Sequence, residues 1–495
     1  MLMPAPDQAV IARRPSIVGA LRELLPAECV IVDEASLRAY ECDGLSVYRQ
    51  LPMIVALPRT TAEVAAILKL CKAGGVKVVP RGAGTGLSGG ALPLADGLTL
   101  GMAKFNRVLA IDYDNRCAVV QPGVTNLGIT LAVQHAGFYY APDPSSQIAC
   151  TIGGNVAENS GGVHCLKYGL TTNNVLGVEL VTIDGEVLRL GGPHLDAEGY
   201  DLLGVVTGSE GLLGVVTEVT VRILPKPTAA RTLLLGFPSN EQGGACVAAI
   251  IGDGIIPGGI EMMDRPAIAA AEAFVQAGYP LDVESLLIVE LDGPPVEVDH
   301  LVGRVEAIAR ECGAVSSRIS RDEEERLRFW AGRKAAFPAV GRISPDYMCM
   351  DGTIPRRRLP EVLSRMAELS ARHGLRVANV FHAGDGNLHP LILFDANQPG
   401  QLAAAEAFGA DILRLCVEVG GVLTGEHGVG IEKRDLMGTM FNEIDLAHQQ
   451  RLKCAFDPDG LLNPGKVFPV LRRCAELGRL QVHAGEVRFP DLPRF

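Results

Sequence analysis

Four side chains in the last quarter of the chain, His382, His389, Glu426 and His427, are of the types that bind a divalent ion and move a proton. The first two lie in the run Phe381-His-Ala-Gly-Asp-Gly-Asn-Leu-His-Pro390, where Asp385-Gly386 predicts a type I′ hairpin turn between apolar runs at 375–381 and 391–394. That register pairs Gly384 with Asn387, Ala383 with Leu388 and His382 with His389. Directly opposed residues have Cβ atoms roughly 4.5–5.5 Å apart, so both imidazoles could reach one ion at about 2.0–2.1 Å. A third ligand is expected from the glycine-rich run 420–430, where Glu426 and His427 sit between glycines that free the backbone to turn both inward. One could ligate while the other takes a proton.

A second kind of chemistry is written in the first half. Pro80-Arg-Gly-Ala-Gly-Thr-Gly-Leu-Ser-Gly-Gly90 follows a strand-like run at 76–79. Its glycines leave backbone N–H groups free to converge on phosphate oxygens, with Arg81 adding charge. Two more glycine-rich stretches follow, at 142–162 and 207–217. Three such loops over some 140 residues suit one long, extended ligand better than a single phosphate.

These residues resemble a known group. Residues 50–227 are similar to the FAD-binding domain of the vanillyl-alcohol oxidase and p-cresol methylhydroxylase superfamily, and 228–469 to the C-terminal domain shared by D-lactate, D-2-hydroxyglutarate and glycolate dehydrogenases. The loops at 80–90 and 150–162, the two histidine motifs and Asn463-Pro-Gly-Lys466 carry the likeness. Within the group, 329–337 (Phe-Trp-Ala-Gly-Arg-Lys-Ala-Ala-Phe) and 341–355 most resemble the FAD-linked D-subunit family of bacterial glycolate oxidases. The fold this implies is α+β. A two-subdomain FAD-binding domain of the p-cresol methylhydroxylase type follows an N-terminal helical segment (1–49). After it come a sheet-plus-helices substrate domain (228–469) and a tail (470–495).

The resemblance further implies FAD contacts at Arg81, Gly82, Ala83, Gly84, Thr85, Gly86, Leu87, Pro142, Ser145 and Ser146. It extends them to Thr151, Gly153, Gly154, Asn155, Ala157, Asn159, Gly161, Gly162, Tyr168, Gly169, Gly211, Val216 and Asn463. Relatives that attach FAD covalently use a histidine in the first loop; Thr85 stands there, so a non-covalent flavin is expected. Relatives hold the substrate carboxylate with an arginine in a Trp-x-x-Arg context, which here is Arg333, ahead of Lys334 and Arg342 as alternatives. A 2-hydroxy acid would then lose its hydroxyl proton to His427 and its α-hydrogen to FAD, with His382, His389 and Glu426 holding Zn, Mn or Fe. Other dehydrogenases of the superfamily manage with histidine and arginine alone, so the ion stays open. Phe337 and Met348 favour a small, singly charged acid, with glycolate ahead of D-lactate and D-2-hydroxyglutarate. A zinc hydrolase and a non-catalytic flavin-binding subunit are the readings of another class.

Composition excludes more than it selects. With 495 residues, 48% of them apolar, the chain can bury two cores. A formal charge of −12 argues against a nucleic-acid partner. Twelve cysteines are scattered, none within a few residues of another, which is not the spacing of an iron–sulfur cluster, and reduced thiols are expected. Electrons must therefore leave through something else. The resemblance supplies a second flavin-domain subunit, an iron–sulfur subunit and membrane quinone. Without a signal-peptide pattern or a run of about 18 apolar residues, a cytoplasmic protein is expected, reaching the membrane only through partners.

The elements that must position these residues read coarsely as follows. A strand at 51–57 leads to a helix capped by Thr60 or Thr61, with Val64, Ile67, Leu68 and Cys71 on one stripe. Strands follow at 108–112 and 118–121, and a hairpin joins 180–183 to 186–190 around Asp184-Gly185. Beyond Pro225-Lys-Pro227, strands at 286–291 and 377–381 alternate with helices at 301–312 and 359–373.

Overall fold

The first long helix, Thr61–Gly74, forms where its signals stand. Thr60 and Glu63 exchange hydrogen bonds as a capping box, and Gly75 ends the helix at φ +61°. Val64, Ile67, Leu68 and Cys71 are all fully buried, each aliphatic side chain contributing roughly 1.5–3 kcal/mol by leaving water. The computed structural model describes residues 3–195 and 199–469; the tail expected after 469 lies outside them.

The helix packs on a four-stranded sheet ordered Val30–Ile31, Ile54–Ala56, Gly97–Gly101, Lys77–Arg81. The last three strands run parallel, so the glycine loop after Arg81 emerges at one end of a buried sheet. Beside it stands a five-stranded antiparallel sheet ordered Val108–Asp112, Cys117–Val120, Val215–Arg222, Val175–Val181, Val187–Gly191. Its hairpin closes at Gly185, φ +69°, which an L side chain would strain. The expected strand at 51–57 is cut to Ile54–Ala56.

The second half is built on seven antiparallel strands, ordered Ser316–Ile319, Ala229–Phe237, Ser285–Gly293, Gly259–Asp264, Val377–Phe381, Pro390–Phe394, Asp346–Cys349. Helices cover both faces, so strands such as Ser285–Gly293 are buried at nearly every position and read as continuous apolar runs. The helix expected at 301–312 begins earlier, at Pro295, because proline is suited to a helix's first turn.

Near its end the chain returns to the first half. Val78 N–H donates to the Leu461 carbonyl and Asn463 N–H to the Val78 carbonyl, at 2.8 and 2.7 Å. The two halves are thereby laced together at the root of the glycine loop. Among the described residues no helix is long and apolar enough to cross a membrane.

Candidate functional site

His382 and His389 share one face of the sheet, but by a different register from the one expected. Asn379 pairs with Pro390, and His382 N–H donates to the Asn387 carbonyl, so His382 opposes Asn387. The turn is a four-residue loop, 383–386, not a two-residue type I′ turn. That type needs positive φ at both central residues, and only Gly386, at +86°, has it. Asp385 instead accepts from the Asn387 N–H at 3.0 Å. The register differs by two, an even number, so both imidazoles keep the same face as diagonal neighbours. Their ring centroids are 4.9 Å apart.

The loop 424–428 is shaped by a carboxylate that sequence reasoning missed. Asp351 is fully buried and accepts from the N–H groups of Gly425, Glu426 and His427 at 3.1, 3.1 and 2.9 Å, from Thr424, and from Lys433 Nζ at 3.0 Å. Curling the backbone around one anion lets Glu426 and His427, which would diverge in a strand, face one centre. Gly428 has φ +84°, and a Cβ there would lie 2.1 Å from Glu158 Oε2, so only glycine fits. Glu210, from the first half, accepts from Val429 and Gly430 N–H at 2.7 Å each.

At the centre, Glu426 Oε1 lies 3.2 Å from His382 Nε2 and 3.3 Å from His389 Nε2. Ligand atoms at about 2.0–2.1 Å from a tetrahedral ion stand roughly 3.3–3.4 Å apart, so Glu426 already has the spacing of a coordination edge to each histidine, and all three donor atoms lie within 4.8 Å of one another. Neither ring nitrogen of buried His389 has a hydrogen-bond partner. Behind them Glu261 accepts from His382 Nδ1 at 2.7 Å and from Arg333 Nε at 2.6 Å, the backing that orients a ligating imidazole. Asp351, His389 and His427 also cluster within 4.8 Å, but Asp351 is already saturated by its loop and Lys433.

The electrostatics follow from burial and pairing. Burial opposes a charge on His382, yet Glu261 and Glu426 outweigh it and raise its pKa well above the usual value. Burial likewise opposes ionisation of Glu426, but His382 and its neighbours bring it down to about 2. A divalent ion would take the place of the proton these groups share. His427, stacked on His389 with centroids 4.8 Å apart, is pulled down to about 4, chiefly by burial, and stays neutral at pH 7. Its Nδ1 is unpartnered.

The glycine loops, His389 and His427 open into one cavity of about 490 Å³. Arg81 to Leu87, Ser145, Ser146, Thr151, Gly153, Gly154, Asn155, Ala157, Gly211 and Val216 line one part, and Lys334, Phe337, His389, Glu426 and His427 the other. Thr151 Oγ1 is buried there without a partner. The remaining expected contacts lie outside the lining. Pro142 accepts from Asn126 through its carbonyl, Asn159 lines a neighbouring cavity, and Tyr168 donates to Asp292. Gly161 abuts Glu426, Gly162 abuts Asp143, and Gly169 turns the chain at φ +82°. Asn463 is buried and ties the Gly90 and Glu210 carbonyls together at 2.9 and 2.7 Å. Arg333, too, is buried, at 1% exposure, behind the lining rather than in it, with its Nη2 unpaired. Arg342 donates to the Ala273 carbonyl. Glu261 was detectable as an acid among apolar neighbours in the buried strand Gly259–Asp264; Glu210 and Lys433 carry no comparable signal.

Ten of the described cysteines are free, and eight of these are buried.

Comparison with known proteins agrees with this layout. Residues 52–191 match the family described as FAD binding domain, and residues 226–467 the one described as FAD linked oxidases, C-terminal domain. The chain is 59% identical over 482 residues to the glycolate oxidase subunit GlcD of Escherichia coli strain K12, covering 97% of each. It is 38% identical over 430 residues to the subunit of the same name from Bacillus subtilis strain 168, covering 87% of this chain and 92% of that one. A D-lactate dehydrogenase of Anaerostipes hadrus is 30% identical over 463 residues, 92% of this chain and 97% of that one. Among solved structures, p-cresol methylhydroxylase with substrate bound superposes with a TM-score of 0.79 at 18% identity, covering 94% and 98% of the two chains. At that identity the likeness concerns the fold.

Proposed function

The chain belongs to the family of FAD-linked oxidases that includes the glycolate oxidase protein GlcD, and from that premise we propose that it oxidises glycolate to glyoxylate as the flavin-bearing member of a larger assembly. The observation that supports this best is the shared cavity: the loops that would hold a dinucleotide and the cluster that would hold a hydroxy acid line one continuous space.

The site fits the cofactor. Backbone groups of 82–87, the unpartnered Thr151 hydroxyl and Arg81 would hold FAD, with no covalent bond to Thr85. Bound FAD supplies a two-electron acceptor for the hydride leaving the α-carbon. The chain's own residues do the rest. Lys334, which lines the cavity, would meet the acid's carboxylate directly, while Arg333, buried behind the lining, adds its positive charge from the same helix and is held by Glu261. His427, neutral and facing the cavity, takes the hydroxyl proton on a ring nitrogen. Phe337, its ring 6.2 Å from that of His389, lines the cavity beside it and keeps water from the reacting carbon. His382, His389 and Glu426 would hold a Zn, Mn or Fe ion, which would supply a positive charge favouring the ionised hydroxyl.

Phe337 on the lining favours a small, singly charged acid, D-lactate being the next most suitable substrate, in keeping with the D-lactate dehydrogenase among the relatives. With no cluster motif of its own, the chain passes electrons to a second flavin-domain subunit, an iron–sulfur subunit or quinone, at the cytoplasmic side of the membrane. The purified protein is expected to be yellow and to bleach anaerobically faster with glycolate than with D-lactate or D-2-hydroxyglutarate. A colourless protein that takes up no FAD would favour a zinc hydrolase instead.

A further inference from the structure

The short segment 162–168 of the flavin-binding half is plugged into the other half. Val163 is buried within the core cluster that contains Trp330 and Ala336. A Cβ on Gly259 would lie 2.9 Å from it, and one on Gly384 would lie 2.6 Å from Leu166. The strand Ser285–Gly293 meets this plug with two acids on one face, Glu290 and Asp292. Lys167 and Tyr168 both donate to Asp292. His164 does more. Its Nδ1 bonds Asp143 Oδ2 at 2.9 Å and its Nε2 bonds Glu290 Oε1 at 3.2 Å.

Asp143 belongs to the loop whose next three residues line the flavin cavity. Glu290 turns its other oxygen to the helix Glu323–Val340, accepting from Arg326 Nη1 at 2.7 Å and from Trp330 Nε1. That helix presents Arg333 and Lys334 one turn after Trp330, and Phe337 two turns after it. A continuous chain of charge-assisted bonds thus runs from the flavin loop through His164 to the helix that carries the acid-binding groups. Burial works against a charge on His164, but the two carboxylates outweigh it, so both contacts are ion pairs.

We propose that His164 is a positioning residue that sets the register of the helix Glu323–Val340 against the flavin loop and thereby fixes where the acid's carboxylate is held. This deepens the reading above and rests on it. The proton-accepting loop is held separately, by Asp351 and Glu210, and the glycine loop by Asn463. Loosening His164 should therefore act on acid binding and spare the chemical step.

The test uses the full chain loaded with FAD, in wild-type, His164→Gln and Trp330→Phe forms, the last removing only the indole N–H that Glu290 accepts. The anaerobic bleaching rate is followed against glycolate concentration, alongside flavin content and melting curve. Half-saturation is expected to rise roughly tenfold in His164→Gln and less in Trp330→Phe, while the limiting rate and flavin content stay within about twofold. A merely structural role would lower stability or flavin content and leave half-saturation unmoved. Wild-type bleaching with unchanged half-saturation in both variants overturns the proposal alone. A wild-type protein that no 2-hydroxy acid bleaches ends the underlying reading and the proposal with it.

Discussion

At the residue scale, a ligand's removal should be separable from a base's. His389→Ala deletes a donor without touching a glycine loop, and it leaves Glu426 beside a smaller, wetter side chain's space. The expected outcome is loss of a stoichiometric divalent ion and a bleaching rate lower by about 100-fold or more, with FAD retained; elemental analysis and the visible spectrum check both. His427→Asn should keep the ion and lower the limiting rate roughly 10²–10⁴-fold, the usual worth of a positioned proton acceptor. Full activity after exhaustive chelation would exclude the ion's part. The ligating residue types were legible because they carry their chemistry wherever the backbone puts them. Arg333 shows the limit: the side chain was visible in sequence, but its pairing with fully buried Glu261, 72 residues earlier, was not.

At the element scale, the loop 424–428 depends on one buried charge pair. Asp351→Ala would take from fully buried Lys433 the carboxylate it donates to at 3.0 Å and strip the Glu426 and His427 N–H groups of their acceptor. Breaking such a pair costs about 3–5 kcal/mol, so the urea midpoint should fall at unchanged slope. Adding Lys433→Met to that variant should restore much of the stability but not the activity, because the loop's shape would still be lost. The turn 383–386 teaches a related lesson about legibility. Asp385-Gly386 is a genuine turn signal, and the expected shared face survived because the register error was even. What moved the register lies elsewhere in the fold: the Gly384 N–H donates to the Ile260 carbonyl and the Gly386 carbonyl accepts from Ile354. Tertiary partners overrode the tight turn. The helix Thr61–Gly74, whose cap and stripe are both local, was readable to within a residue for the opposite reason.

For the molecule as a whole, the contact between its halves was the least legible feature, since nothing in the spacing of His164 and Glu290, 126 residues apart, announces that they meet. That contact nevertheless gives a pH signature. Burial opposes ionisation of Glu290, but His164, Arg326 and Trp330 bring its pKa from 4.5 to about 2. A depressed carboxylate contributes stability that is complete above its unfolded value, 4.5, and fades as pH falls from there toward 2. The pKa of His164 is raised well above 6.5, so its contribution is complete below 6.5 and is lost as pH climbs through the raised folded value. The two windows overlap between 4.5 and 6.5, where the halves should be held most firmly. Wild-type stability minus that of His164→Gln, from melting curves at a series of pH values, should be greatest in that interval and shrink on both the acid and the alkaline side. A difference that is flat from pH 4 to 9 would mean that His164 holds the halves by shape and not by charge.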